Sequence, residues 1–400
     1  GLEREKLQAE YDELEKFIAR CNEILGSVEE QMKVIKAETI ELKNKYADPR
    51  RTEIRPSAEE FNPEDFYADE DMVITISHLG YIKRTPLTEY RTQARGGVGM
   101  KGSATRDFID HIYIANMHST MLLFTQAGRC YWLKVYEIPE GSRASKGRAI
   151  QNVLSIPDDK ILAYINVKTL KDPEYVNGNN IVLITKRGII KKTSLEAYSH
   201  PRTAGVNAVN LREGDELVEA LLTNGNEEIF IAAREGRCCR FDETDARPMG
   251  RNSTGVRGIN IEDDDEVIGA INYDPKAEDA SAHTVLVVSE NGFGKRTDFD
   301  EYRITKRGGK GVKTISITEK TGKLIAIKNV TENNDLMIIE KSGLTIRMAV
   351  SDIRVAGRAT QGVKLINIKN GDSIAAISTV EKGDDEQEKV AGENAETPQE

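Results

Sequence analysis

Ile229-Phe230-Ile231-Ala232-Ala233-Arg234-Glu235-Gly236-Arg237-Cys238-Cys239-Arg240 and, further along, Val285-Leu286-Val287-Val288-Ser289-Glu290-Asn291-Gly292-Phe293-Gly294-Lys295-Arg296 follow one plan. An apolar run of strand character reaches a turn that ends in glycine, and a second strand follows with a basic residue four positions after that glycine. The plan occurs six times. Its first strands are Val73–Ile76, Met121–Phe124, Ile181–Ile184, Ile229–Ala232, Val285–Val288 and Leu336–Ile339. Its turn glycines are Gly80, Gly128, Gly188, Gly236, Gly292 and Gly343.

A second glycine follows each first one, in a polar loop: Gly99, Gly147, Gly205, Gly255, Gly311 and Gly362. The spacing is 19 residues in five repeats and 17 in the third. Two further strands are expected to complete each repeat of about 50 residues, and six such units suggest a closed ring of blades. One blade cannot bury both faces of its sheet, whereas neighbours in a ring cover them. A single tryptophan, Trp132, and the lack of a repeated Trp-Asp argue against a WD-type propeller.

Four residues after the turn glycines stand Arg84, Trp132, Lys192, Arg240, Arg296 and Arg347, with Lys83, Lys191 and Lys295 one position earlier. Side chains alternate faces along a strand, so the recurring position lies on one face of every repeat. Two readings stand open. The cations contact a polyanion, or they guard strand edges against aggregation.

Outside the repeats the pattern changes. Leu2, Leu7, Tyr11, Leu14, Ile18 and Leu25 form a helical stripe, Gly26-Ser27 breaks it, and Met32, Ile35 and Leu42 continue on a second helix. The reading is a helical end of a coiled arm at 1–48, a Pro-punctuated linker at 49–70, the repeat domain at 71–380 and an acidic disordered tail at 381–400. A small helical subdomain is the alternative for the first segment. The chain does not begin with Met and is read as a piece of a longer protein.

The net charge of −10 conceals an asymmetry: residues 1–70 carry −8, 71–380 carry +4 and 381–400 carry −6. A basic body beside an acidic tail suits a polyanionic ligand with which the tail competes; a solvated tail is the plainer reading. No run of 18 apolar residues spans a membrane, and the charged start is no signal peptide. Cys21, Cys130, Cys238 and Cys239 form no C-x-x-C pair, which suits reduced cytoplasmic thiols, and the five histidines lack zinc-ligand spacing. No metal is expected.

Gly97-Val98-Gly99-Met100-Lys101-Gly102 matches G-x-G-x-x-G but lies in a loop of a β repeat, where no dinucleotide site forms. Arg307-Gly308-Gly309-Lys310-Gly311 lacks the Gly-Lys-Ser/Thr of an ATP loop. No catalytic triad stands out. What remains is a set of basic loops holding, among others, Arg91, Arg95, Arg143, Lys146, Arg202, Arg247, Arg251, Arg303, Lys313, Arg354 and Lys364. Glycine admits phosphates to the backbone, and Arg and Lys supply charge. With few aromatics for stacking, duplex DNA is favoured over single strands.

Gln93-Ala94-Arg95-Gly96-Gly97-Val98-Gly99 resembles the box Gln-Arg-Arg-Gly-Gly-Lys-Gly of the DNA gyrase A subunit, with Ala94 and Val98 replacing two of its basic residues. The flanks Ile76-Ser77-His78-Leu79-Gly80-Tyr81-Ile82-Lys83 and Pro86-Leu87-Thr88-Glu89-Tyr90 are also similar, as are Thr254-Gly255-Val256-Arg257-Gly258 and Gly357-Arg358-Ala359-Thr360-Gln361-Gly362-Val363. The resemblance spans 71–380. It implies a mainly β fold, a six-bladed β-pinwheel whose blades exchange strands, preceded by a short α-helical segment.

The resemblance also implies non-sequence-specific duplex DNA binding, bending and wrapping in service of negative supercoiling. The catalytic tyrosine region would lie upstream, so this fragment is no enzyme and needs no cofactor. ATP and Mg2+ would serve the holoenzyme, a cytoplasmic type II topoisomerase built as a heterotetramer of two A and two B subunits. The C-terminal domain of the A-type subunit of topoisomerase IV is the alternative within the family, and a propeller-like protein-interaction scaffold the alternative outside it.

The candidate DNA contacts follow from loops, strands and box together. The first repeat offers Lys83, Arg84, Arg91, Gln93, Arg95, Gly96, Gly97, Gly99 and Lys101. The second offers Arg143, Lys146 and Arg148, the third Lys191, Lys192 and Arg202, and the fourth Arg251 and Arg257. The fifth offers Lys295, Arg296, Lys306, Arg307, Gly308, Gly309, Lys310, Gly311 and Lys313, and the sixth Arg347 and Arg358. The fifth loop, Thr305 to Gly311, is closer to the box in charge than the first.

Overall fold

The computed structural model describes residues 2–48, 51–52, 63–77, 79–86, 109–142, 145–154, 156, 159–340, 345–368 and 372–381. It divides into two units, 1–62 and 63–400. The first unit holds two helices, α1 (Leu2–Gly26) and α2 (Val28–Tyr46). Ser27 separates them as the N-cap of α2, its side chain accepting from the Glu30 N–H at 3.4 Å. Leu7, Leu14, Ile18, Met32 and Ile35 of the apolar stripe are exposed.

The second unit is mainly β. Its first repeat supplies β1 (Asp71–Ser77), β2 (Tyr81–Pro86) and β3 (Ile109–Asn116). The second supplies β4 (Thr120–Thr125), β5 (Arg129–Lys134), β6 (Arg148–Ala149) and β7 (Ile161–Val167). The third supplies β8 (Asn180–Thr185), β9 (Ile189–Ser194), β10 (Val206–Asn207) and β11 (Leu217–Thr223). The fourth supplies β12 (Glu228–Ala233), β13 (Arg237–Asp242), β14 (Val256–Arg257) and β15 (Val267–Tyr273). The fifth supplies β16 (Thr284–Ser289), β17 (Phe293–Asp298), β18 (Val312–Lys313) and β19 (Leu324–Val330). The sixth supplies β20 (Asn334–Glu340), β21 (Thr345–Ala349), β22 (Val363–Lys364) and β23 (Ile374–Glu381).

Sheet order reveals an exchange. The sheets run β3-β1-β2-β6, β7-β4-β5-β10, β11-β8-β9-β14, β15-β12-β13-β18 and β19-β16-β17-β22, followed by β23-β20-β21. Each of the first five therefore takes its fourth strand, two residues long, from the loop of the next repeat. At the opposite edge, β7, β11, β15, β19 and β23 pack in succession, and β23 packs on β3. The rings of Tyr113 on β3 and Tyr164 on β7, 5.2 Å apart, complete the circle. Six blades thus close into a ring, the pinwheel expected.

Local chemistry makes each blade. The Gly80 N–H bonds the Ser77 carbonyl at 2.9 Å with Gly80 at φ +80°, and the same turn recurs in the next four repeats. A left-handed glycine closing such a turn is a common hairpin device. One bulge recurs in all six sheets, four to three residues before the turn glycine, for example between Ala232 and Ala233. Strand β4 is buried on both faces: Met121 and Leu123 join Met72 and Ile74, while Leu122 and Phe124 join Ile181 and Leu183. That double burial explains why the first strands read as unbroken apolar runs.

Residues 63–70 belong to this unit. Glu64 pairs with Lys134 at 2.6 Å, and the Tyr67 ring stacks on Tyr136 at 4.8 Å. No described helix is long and apolar enough to cross a membrane.

Candidate nucleic-acid interface

In the first, third, fourth and fifth repeats the basic residue four places after the turn glycine points into the neighbouring repeat, whereas Arg347 of the sixth is exposed. The second strands β5, β9, β13, β17 and β21 are each followed by a short 3-10 turn: Val135–Glu137, Leu195–Tyr198, Glu243–Asp245, Phe299–Glu301 and Val350–Asp352. Arg84 Nη1 donates to the Tyr136 carbonyl at 2.6 Å, and Lys192 Nζ to that of Glu243 at 2.8 Å. Arg240 Nη1 donates to the carbonyls of Phe299 and Tyr302, both at 2.7 Å, and Arg296 Nε to that of Ile353 at 2.8 Å. Trp132, the exception in charge, makes the same link with its indole N–H, 2.9 Å from the Tyr198 carbonyl. The repeated requirement is a long donor that reaches the next blade. Where the donor is a cation it also faces a carboxylate: Arg84 faces Glu140 at 3.1 Å, Lys192 faces Glu243 at 3.5 Å, Arg240 faces Glu228, and Arg296 faces Glu332 at 3.3 Å.

The lysines one position earlier reach the next repeat's loop from the other face. Lys83 Nζ donates to the Ser142 and Ser145 carbonyls at 2.9 and 2.7 Å. Lys191 is held by the carbonyls of Ala208 and Arg251, and Lys295 by those of Gly357 and Arg358. Burial, with Arg251 nearby, pushes Lys191 down to about 8, and burial with Arg358 does the same for Lys295. The DNA-contact reading is thus corrected for Lys83, Arg84, Lys191, Lys192, Lys295 and Arg296, all buried and each donating to carbonyls inside the fold, with Arg84 Nε left unpaired. Edge protection is not the explanation either, since the edge is covered.

A pH dependence follows. The unfolded chain holds a lysine proton up to about 10.4, so between that value and about 8 it binds more protons than the folded chain. Stability conferred by Lys191 therefore rises with pH across this window. Wild type should gain stability relative to Lys191→Met from pH 8 to 10, measured by urea unfolding; a constant difference would refute the shift.

The loop glycines serve packing. A Cβ on Gly311 would lie 2.6 Å from the Cys238 carbonyl oxygen, and one on Gly255 2.6 Å from that of Ile190, both at positive φ. At Gly147, Gly205, Gly255, Gly311 and Gly362 the loop lies on the preceding repeat's second strand too closely for a side chain. Gly311→Ala should cost roughly 1–3 kcal/mol in thermal or urea unfolding, whereas an unchanged midpoint would contradict the close approach. Gly308 donates to the Gly258 carbonyl at 2.6 Å, and Gly309 accepts from the Asn260 N–H at 2.9 Å. The Gly308 N–H is thus engaged inside the fold, which corrects the phosphate-cradle expectation for that residue.

Three loop arginines also turn inward. Arg251 donates to the Asn207 carbonyl at 3.4 Å, Arg307 to those of Asp245 and Arg257, and Arg358 to those of Glu301 and Lys313. Two residues missing from the sequence-derived set, Arg129 and Arg237, behave alike, donating to the carbonyls of Ala204 and Gly311. Their position immediately after a turn glycine was the available signal.

The family model of the DNA gyrase C-terminal domain, beta-propeller, matches residues 71–115, 119–163, 179–224, 227–273, 283–331 and 334–381, one match per blade. The chain belongs to the DNA gyrase C-terminal domain family. It is 42% identical over 389 residues to the DNA gyrase A subunit of Staphylococcus epidermidis, covering 96% of this chain and 43% of the relative. It is 40% identical over 409 residues to that of Staphylococcus aureus, covering all of this chain and 45% of the relative. The chain thus spans less than half the length of these curated relatives.

In fold it is similar to a solved DNA gyrase A C-terminal domain, with TM-score 0.65 and 23% identity over 78% of this chain and 99% of the other. It is also similar to the C-terminal domain of DNA topoisomerase IV, with TM-score 0.63 and 21% identity over 82% of this chain and 99% of the other. At those identities the likeness is one of fold. The sequence relatives are gyrase A subunits, and the topoisomerase IV reading is not favoured.

Several of the candidate cations remain accessible. Lys146, Arg148, Arg202, Arg257, Lys306, Lys310, Lys313 and Arg347 are exposed, as are the loop residues Arg247, Arg303, Arg354 and Lys364. Arg257, Lys313 and Lys364 occupy one equivalent position, the second residue of the donated strands β14, β18 and β22. Lys306 pairs with Asp245 at 2.8 Å, Lys310 with Glu262 at 3.5 Å and Arg347 with Asp335. Arg91, Gln93, Arg95, Gly96, Gly97, Gly99, Lys101 and Arg143 lie outside the described residues, as does the tail from Lys382.

Proposed function

We propose that this domain binds duplex DNA along its outer edge, without sequence preference, and bends it into a wrap that serves negative supercoiling by a gyrase. The observation that carries this reading is the row Arg257, Lys313 and Lys364, one exposed cation at the same place in three successive repeats. A row of point charges suits the phosphate backbone, which carries no sequence information. The second unit's one described α-helix, α3 (Pro173–Gly178), is six residues long, too short to read a groove. Bending 20–30 base pairs costs about 1–10 kcal/mol, which many phosphate contacts must offset.

In this reading the longer protein is an ATP-dependent type II topoisomerase in the cytoplasm, working with the gyrase B subunit, and the cleavage chemistry resides outside this chain. The test is titration of the domain with linear duplexes of unrelated sequence. With about 6–10 phosphates engaged, affinity should fall roughly 10³–10⁵-fold between 50 and 200 mM salt. A flat salt response, or strong preference for one duplex, would refute it.

A further inference from the structure

We propose that Arg307 and Arg358 are positioning residues which join the loops of neighbouring repeats into one belt, and that this belt sets the path of the bound duplex. The inference rests on the DNA-wrapping function proposed above. Arg307 grips the fourth repeat at two points, Nε to the Asp245 carbonyl at 2.9 Å and Nη1 to the Arg257 carbonyl at 3.1 Å. Arg358 grips the fifth at the corresponding points, Nε to the Glu301 carbonyl at 3.1 Å and Nη1 to the Lys313 carbonyl at 2.9 Å. Asp245 and Glu301 each end a 3-10 turn, and Arg257 and Lys313 each end a donated strand. The two grips are therefore one device used twice.

Three features point to a role in positioning. First, the carbonyls gripped by Nη1 belong to Arg257 and Lys313, the residues whose side chains stand exposed in the cationic row. The grip fixes the backbone beneath a phosphate contact relative to the next repeat. Second, the backbone continues the belt. The Asn260 N–H donates to Gly309 at 2.9 Å and the Ser316 N–H to Thr360 at 3.2 Å, each five residues after a loop glycine. Third, the grip needs arginine. A guanidinium engages the two carbonyls with two different nitrogens of a rigid fork, Nε and Nη1, whereas a lysine offers one nitrogen, which meets two carbonyls only where they converge on a single point, as those of Ala208 and Arg251 do at Lys191. Cations held at fixed spacing impose a curvature, and cations on independent loops follow whatever path the duplex prefers.

Charge-preserving exchange separates these cases. In the double variant Arg307→Lys/Arg358→Lys, the slope of log affinity against log salt should stay within one phosphate contact, about 0.9, of wild type. The thermal midpoint should remain near wild type. The writhe constrained in a nicked plasmid religated with the saturating domain should be lost. Lys313→Gln, by contrast, should lower the slope by about 0.9, as the loss of one phosphate contact does.

The single variant Arg358→Lys, with one grip intact, should lose part of the writhe and covers the case in which the double variant fails to fold. Full writhe in the folded double variant, or in Arg358→Lys, overturns the inference, as does a slope that falls as though the arginines were phosphate contacts. A wild-type domain that binds DNA but constrains no writhe overturns the wrapping function itself, and the inference with it.

Discussion

Arg240→Met should destabilise the domain by about 3–5 kcal/mol, the cost of removing one partner of a buried ion pair. Arg240 Nε donates to Glu228 Oε2 at 2.7 Å, and its side chain and that of Glu228 are 7% and 8% exposed. Met fills the space of the side chain but leaves Glu228 buried without its cation. It also removes the Arg240 donor from the carbonyls of Phe299 and Tyr302, which severs a link between the fourth and fifth blades. Arg240→Lys should fall between wild type and Met, because Lys192 already makes this link with one ammonium in the third repeat. Lys306→Met, at a residue whose side chain is 88% exposed, should leave the unfolding midpoint unchanged. Urea unfolding followed by circular dichroism measures all three. A loss below about 1 kcal/mol for Arg240→Met, the scale of one ordinary hydrogen bond, would refute the clasp.

The largest effect on DNA binding should come from the triple variant Arg257→Gln/Lys313→Gln/Lys364→Gln. Three lost contacts at about 0.9 each would lower the salt slope by up to about 2.7. Fluorescence anisotropy over a salt series reads the slope directly. Neutralising the buried pair, Lys191→Met with Lys295→Met, should weaken folding yet leave the slope of the folded protein unaltered. If the buried pair lowers the slope and the exposed triple does not, the outer edge is not the DNA-binding surface. By charge alone the fifth loop was the strongest candidate. Its Arg307 instead holds two backbone carbonyls, and its Lys306 and Lys310 face Asp245 and Glu262.

The reading of the repeats illustrates where sequence reasoning stops. Six first strands, five described turn glycines and the ring they imply were legible because each rests on local chemistry. Alternation along a strand, the left-handed turn residue and the apolar run of a doubly buried strand all act within a few neighbours. The same periodicity also flagged Arg84, Lys192, Arg240 and Arg296, but it could not say what they touch. A strand has two faces, and in an isolated sheet a cation on either face reads as available to a ligand. In a ring both faces are covered, so the partner of Arg240 is a carbonyl some 60 residues away.

The amino-acid sequence by itself determined the number of blades, the placement of their strands and the family. Only the tertiary structure decided which cations remain free. The two-residue donated strands carry no pattern of their own, and they place each loop on the preceding blade. That placement turns the loop glycines and several arginines inward as packing and donors. It leaves the side chains of Arg257, Lys313 and Lys364 exposed, because they stand on the outermost strand of their sheets, Arg257 touching the Asn260 side chain at 3.4 Å.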